Sequence, residues 1–349
     1  MHRSVVFATP HLGPLRELAC MAERLGFHRA WTTDYTDRDA LIRCALIGAA
    51  TTSLQVGTGI AYSFTRHPVA LAAAAADIHE ATGGRFSLGL GAATGGMRSR
   101  WFGIDDARPV SRMREAVELL RRLWASESSV SFEGTYFSVH VDGLHQATRL
   151  DGMPPLRVFG SGLNEKMLTA ASQWCDGVLL HPLAVSERGQ AAVRTIVAGT
   201  DRAGGAQPVQ PLQLSQWVIT SVGPDREAAR EVARRSLAFY LSTRSYAGHF
   251  AGTPWESVPQ TVSDAFRAEG PRWDSLAVHV PDAMVDDYCI AGTPSQARER
   301  ARAIEERLAR TGVTELVLQV ATTDQDPGAT TASYGHALEA LAPEAKETR

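Results

Sequence analysis

Several short stretches of this sequence put ligand-cradling or reactive residue types together. Gly160-Ser161-Gly162-Leu163-Asn164 follows an apolar run and precedes a helical one. Free N–H groups at a helix start, with glycines admitting a ligand to the backbone, make an anion site suited to a cofactor phosphate. Ser161 adds a hydroxyl donor, and Lys166 lies just beyond. The alternative is an ordinary strand-to-helix turn that uses glycine for positive φ. Gly89-Leu90-Gly91-Ala92-Ala93-Thr94-Gly95-Gly96 has the spacing G-x-G-x-x-x-G, and no helix is expected to start at once, so it is not a dinucleotide fingerprint. A loop of this kind, with Ala93 and Thr94, suits a flat ring laid against backbone.

Val56-Gly57-Thr58-Gly59-Ile60-Ala61-Tyr62 ends another apolar run. Glycine inside a strand marks a bulge or a close backbone approach, and the alternative is a bend with no ligand. Asp34 follows Trp31-Thr32-Thr33; a carboxylate there can orient a ring N–H or work as acid or base, or can cap a helix starting near Arg38. His181-Pro182 reads equally as a site residue or as a histidine bonded at a strand end.

These stretches need elements to hold them. Strand-length apolar runs at Ser4–Ala8, Arg29–Thr33, Leu54–Ile60, Phe86–Leu90, Leu156–Phe159, Gly177–Leu180, Leu212–Val222 and Val313–Val320 alternate with helical-period segments. The helices are expected over Leu15–Leu25, Ala40–Thr51, Val69–Ala81, Ser111–Trp124, Glu165–Trp174, Ser186–Ala203, Asp225–Tyr240, a segment opened by Thr293-Pro294, and Ala332–Leu341. Alternating βα units demand a parallel sheet, and eight of them fit a closed (β/α)8 TIM barrel better than an open doubly wound sheet. Two insertions interrupt the rhythm, a hairpin over Val130–Val139 after strand 4 and a mixed segment over 247–285 after strand 7. The chain is expected to form a single barrel domain over 1–349. In a barrel the candidates sit at the C-terminal ends of the strands: Thr9 and Pro10, Asp34 and Tyr35, Ile60 to Phe64, Gly91 to Arg98, Gly160 to Leu163, His181, and Gly223.

Composition narrows the chemistry. The chain has 349 residues, 44% of them hydrophobic, with a formal net charge of −3, which offers no basic excess for nucleic acid. No apolar run is long enough for a membrane span, and scattered Cys20, Cys44, Cys175 and Cys289 read as reduced, cytoplasmic thiols. The only lysines are Lys166 and Lys346, with no G-K-[ST], no H-E-x-x-H and no G-x-S-x-G, so a P-loop, a metal site and a hydrolase elbow are all unsupported.

Val56-Gly57-Thr58-Gly59-Ile60, Arg66-His67-Pro68, Gly83-Gly84-Arg85-Phe86 and Leu88-Gly89-Leu90-Gly91, in that order, resemble the luciferase-like monooxygenase superfamily. Gly26-Phe27 to Trp31 with Asp34, Met97-Arg98 to Phe102-Gly103, Asp176-Gly177 to His181-Pro182 and Ala291-Gly292-Thr293-Pro294 extend the resemblance over nearly the whole chain. Ser111-Arg112-Met113-Arg114-Glu115 and Arg272-Trp273-Asp274 are similar to its F420-dependent oxidoreductases. The resemblance implies an insertion-bearing TIM barrel, commonly a homodimer, that binds a flavin-like ring at its mouth. It also implies a non-prolyl cis peptide behind the ring, which falls at Gly59–Ile60. Asp34, Thr58, Gly59, Ile60, Ala93, Thr94, Gly160, Ser161, Gly162 and Leu163 are then the expected cofactor-binding residues. Some relatives carry a histidine base beside the strand-2 acid, where this chain has Tyr35. The expected activity is therefore that of a reductase. It would pass a hydride from reduced F420 (F420H2) to an electron-poor C=C or C=N bond of a small natural-product or peptide-derived substrate. Tyr35, Tyr62 or His181 would supply the proton. The alternatives are an FMN-dependent monooxygenase using O2 and a barrel that only binds.

Overall fold

The computed structural model describes residues 1–104, 108–200, 211–322 and 326–344. The end of the helix expected over Ser186–Ala203, and Lys346, lie outside the described residues. The eight expected strands form as β1 (His2–Phe7), β2 (Arg29–Thr32), β3 (Gln55–Thr58), β4 (Phe86–Gly91), β5 (Arg157–Gly162), β6 (Gly177–Leu180), β7 (Gln213–Val222) and β8 (Glu315–Val320). Their pairing order closes on itself, the topology of a (β/α)8 barrel and not of an open doubly wound sheet. The chain divides into two compact units.

Unit one comprises Met1–Phe27, Leu180–Thr195 and Ser215–Arg349. Here β1 and β8 pair in parallel from His2↔Glu315 to Val6↔Gln319, and β7 pairs β8 from Ser215↔Glu315 to Thr220↔Val320. The strands are buried almost throughout, which is why they read as continuous apolar runs and not as alternation. The helix Pro294–Ala309 opens as its sequence predicts. Pro294 stands in its first turn, where no N–H is needed, and Thr293 with Gln296 makes a capping box. The 247–285 insertion folds into helices Val258–Glu269, Trp273–Ala277 and Asp282–Tyr288. Trp273 packs there against Phe239 and Phe266, with ring centroids 5.4 and 5.8 Å away. The insertion runs on into a short strand, Cys289–Gly292, that pairs in parallel beside β7 from Ile219↔Cys289 to Val222↔Gly292; its four residues carry too little pattern to be read in advance.

Unit two comprises His28–Leu179 and Ile196–Leu214. β2, β3, β4 and β5 pair in parallel through Arg29↔Gln55, Val56↔Phe86 and Leu88↔Val158. The expected hairpin is Ser129–Glu133 with Ser138–Asp142, antiparallel. Glu115 of helix Pro109–Trp124 accepts the Thr135 and Tyr136 amides at 3.0 and 2.8 Å, which pins the hairpin to the barrel's helices. Two expectations are corrected. A helix, Gly95–Phe102, does begin soon after β4, because Thr94 caps it by accepting the Met97 amide. β5 runs on through Gly162, so the Gly160–Gly162 stretch is strand and not a free loop.

Candidate functional site

In unit two, β3 stops at Thr58, and the next peptide, Gly59–Ile60, is cis, as the resemblance implied. Ile60 is half-buried, whereas Gly57, Thr58 and Gly59 before it are buried. Backbone and side chain of one residue brace it on both sides. The Asp34 amide donates to the Ile60 carbonyl at 2.8 Å, and Asp34 Oδ2 accepts the Tyr62 amide at 2.9 Å.

Asp34 is itself saturated. Its Oδ1 accepts the Ala40 amide at 2.8 Å and Arg66 Nη2 at 3.2 Å, and its Oδ2 also accepts Arg66 Nη1 at 2.6 Å. Arg66 reaches on to Asp39, which caps helix Ala40–Ala50 through the Leu41 and Ile42 amides. These bonds and the Arg66 charge hold the Asp39 carboxyl below the ordinary carboxylate range, against the opposing effect of burial. A carboxylate with this many donors serves as a strut. It joins β2, the Ile60 bulge and a helix start, so the capping and ligand-supporting readings of Asp34 meet in one residue.

The wall beside Ile60 is made of backbone. A Cβ on Gly91 would come within 2.0 Å of Ile60 Cδ1 and 2.6 Å of Ser161 Oγ, so the bare backbone there lets both side-chain tips lie against it. After it, Ala93 takes a left-handed conformation with φ 49°, and Arg98 clamps the turn by donating to the Ala92 and Ala93 carbonyls at 2.8 and 3.0 Å. Thr94 is spent as a helix cap but keeps its hydroxyl proton. Ser161 Oγ has no partner among the described residues and lies against Gly91.

Gly160 and Gly162 have a different reason from the one expected. A Cβ on Gly160 would meet Ala171 at 2.7 Å, and one on Gly162 would meet Met167 at 2.9 Å; both glycines let helix Glu165–Trp174 pack on its strand. Asn164 caps that helix through the Met167 amide at 3.0 Å. Leu163 is half-buried, and Lys166 is exposed.

Tyr35 and Tyr62 part ways. The Tyr35 ring stacks edge-on to Trp101 at 5.1 Å and lies under the Arg38 guanidinium at 4.8 Å, with its hydroxyl unpartnered among the described residues. Burial pushes its pKa up, and Arg38 opposes this. Tyr62 is only 4% exposed, stacked on Phe64 and edged by Phe102. Thr58 is fully buried, and its hydroxyl exchanges two 2.8 Å bonds with Gly89, so its side chain acts within the sheet.

In unit one, His181 ends β6 and caps the 3-10 turn Pro182–Val185, its Nδ1 accepting the Leu183 amide at 3.2 Å. Its ring touches Tyr240 and Tyr246, each at 4.7 Å between centroids. Burial, then the charge on His249, pushes its pKa down to about 3, so it is neutral at physiological pH.

Sequence reasoning passed over Tyr240 and Tyr246, and it named Arg66, Arg98 and Trp101 only as parts of motifs or ranges. Except for Arg98, which clamps the turn just before it, each meets its partner from a distant position in the chain, where no local spacing signals the pair.

Residues 2–311 match the luciferase-like monooxygenase family, and the chain belongs to it. It is 30% identical over 305 residues to the 5,10-methylenetetrahydromethanopterin reductase of Archaeoglobus fulgidus, covering 85% of this chain and 86% of that one. To a putative coenzyme F420-dependent oxidoreductase of Mycobacterium tuberculosis it is 27% identical, over 88% of this chain and 91% of the other. Among solved structures, the coenzyme F420-dependent tetrahydromethanopterin reductase of Methanopyrus kandleri superposes with a TM-score of 0.75 at 20% identity, over 97% of this chain and 98% of that one. That likeness shows the shared fold, the (β/α)8 barrel.

Proposed function

We propose that this chain is a cytoplasmic F420-dependent reductase that passes a hydride from F420H2 to an electron-poor C=C or C=N bond of a small organic substrate, natural-product or peptide-derived. The observation that carries this reading is end-to-end similarity, in sequence and in fold, to proteins named as F420-dependent or as methylenetetrahydromethanopterin reductases. The residues present fit such a group. Ile60, Gly91 and the Ala93–Thr94 turn offer a largely apolar wall, and the Ser161 hydroxyl beside it has no partner among the described residues.

When bound, reduced F420 supplies the hydride. The protein's part is position and protons. Asp34 and Arg66 hold the Ile60 bulge in place. Ser161, with the backbone at the start of helix Glu165–Trp174, binds the phosphate. Tyr35 is the proton donor of choice. Its hydroxyl has no partner among the described residues and burial raises its pKa, so it carries a proton at neutral pH. Tyr62 is buried under Phe64 and Phe102, and neutral His181 has no acidic proton to give near pH 7.

The helix Ala40–Ala50 exposes Ile42 (59%) and Leu46 (47%) one turn apart, an apolar face that supports a homodimer, which sedimentation velocity measures. The deciding experiment titrates the protein with F420 and FMN side by side, by absorbance and fluorescence. Tight F420 binding followed by anaerobic hydride transfer to an activated alkene or imine supports the proposal. Preference for FMN with oxygen uptake would replace it by a monooxygenase.

A further inference from the structure

The His181 cluster of unit one has a property the reductase reading does not use. An amide N–H can bond only an unprotonated ring nitrogen, so the Leu183 amide on Nδ1 places the imidazole proton on Nε2. That Nε2–H has no partner among the described residues, yet it is not sealed from solvent. Tyr246 is in the same position. Its ring lies 4.7 Å from that of His181, and its hydroxyl is unpartnered and accessible.

The neighbouring Tyr240, Gln319 and His249 are engaged. Tyr240 and Gln319 bond each other, Gln319 Nε2 donating at 2.7 Å, and His249 Nε2 bonds the Leu183 carbonyl at 2.7 Å. Polar groups set into a packed protein normally find internal partners. Two neighbouring donors left without any, inside a cluster that is otherwise satisfied, are what a ligand's acceptor atom would use.

The chemistry of that acceptor follows from charge. Burial keeps His181 unprotonated and pushes Tyr246 up to about 12, so both donors are neutral across the physiological range. His249 is the ionisable neighbour whose charge acts on His181, and burial, with the Arg188 charge, pushes His249 itself toward the neutral form. Arg188 acts on His249 and on neither member of the pair, so the pair offers a ligand neutral donors and no formal charge, which suits an uncharged acceptor. The flanking aromatic rings favour a flat, conjugated body.

We propose that His181 and Tyr246 form a binding site for the uncharged carbonyl oxygen of a conjugated ketone, aldehyde or amide, with His181 Nε2–H as the principal donor and the rings of Tyr240 and Tyr246 as its walls. The site is a property of the protein without cofactor. Its test therefore stands or falls separately from F420 binding, which is titrated on the same preparations.

The probe is 4-(dimethylamino)cinnamaldehyde, whose absorption moves to longer wavelength when its carbonyl oxygen accepts a hydrogen bond. The cofactor-free protein should bind it with a red shift. Two substitutions separate the ligand role from the capping role. His181→Asn keeps an acceptor for the Leu183 amide and loses the donor at the Nε2 position. His181→Gln keeps a donor at that reach and weakens the cap. The proposal expects roughly tenfold weaker binding and loss of most of the shift in His181→Asn, with His181→Gln closer to wild type. Tyr246→Phe should weaken binding by a smaller factor. If the histidine serves only as a cap, the order reverses: His181→Asn behaves as wild type and His181→Gln melts earlier. That order, or a wild-type protein that binds the probe without a shift or not at all, overturns the proposal.

Discussion

Asp34→Asn is the sharpest test of the strut that holds the candidate cofactor wall. The carboxylate takes two backbone amides, of Ala40 and Tyr62, and both Nη atoms of Arg66. Each of its oxygens faces one amide and one guanidinium nitrogen. Whichever way the new side chain turns, its NH2 group confronts a pair of donors, so one amide and one charged bond are lost together. Removing one partner of a buried ion pair costs about 3–5 kcal/mol. Arg66 here is 23% exposed and retains Asp39, which places the loss nearer about 2–3 kcal/mol. For a chain of 349 residues that is a fall in Tm of roughly 3–4 °C. Because Asp34 brackets Ile60 through the Ile60 carbonyl and the Tyr62 amide, F420 affinity should fall with it, by about tenfold. Asp39→Asn removes only the more exposed leg of the network and should cost under about 1 kcal/mol. Thermal melting and fluorescence titration of both variants measure these effects. An Asp34→Asn protein that melts with wild type and binds F420 as tightly would show that the carboxylate holds nothing the site needs.

Ser161→Asp puts a negative charge where the cofactor phosphate is expected, and F420 should bind at least about tenfold more weakly by titration; unchanged affinity removes Ser161 from the site. Tyr35→Phe should lower kcat several-fold while leaving the F420 dissociation constant near wild type, and equal effects on both would deny it a proton-transfer role. Burial pushes Cys44 and Cys289 up to about 12, so at pH 8 only about one thiol in ten thousand is thiolate at each. Iodoacetamide should label Cys20 in the native protein and all four cysteines after denaturation, as read by intact mass. The pKa of His181 falls from 6.5 unfolded to about 3 folded, so the unfolded chain binds the extra proton and stability is lost as pH falls below 6.5. At pH 5 this amounts to about 2 kcal/mol, and the drop in Tm from pH 7 to pH 5 should be smaller in His181→Gln than in wild type.

The strands and most helices were legible from pattern because their causes are local. Glu165–Trp174 and Gly177–Leu180 match their expected bounds, and Asp225 and Thr293 stand where a helix entry needs them. The expectations that shifted are those where a neighbour decides. β5 continues through Gly162 because the helix behind it packs on bare backbone, and Gly95–Phe102 turns helical because Thr94 is free to cap it.

The sequence by itself determined the repeated βα rhythm, the two insertions, the glycines at the strand ends and the place of Asp34, Ile60, Ser161 and His181 near those ends. Periodicity, capping and turn chemistry act over a few residues and leave their mark in order along the chain. Only the tertiary structure decided what each group does there. It bonded Asp34 to Arg66 across 32 positions, spent the Thr58 hydroxyl on Gly89, gave Gly91 to the Ile60 side chain, and left His181 Nε2 and the Tyr246 hydroxyl without hydrogen-bond partners among the described residues. Hydrogen-bond saturation and burial are set by whichever atoms arrive in space, and the order of residues does not carry that information.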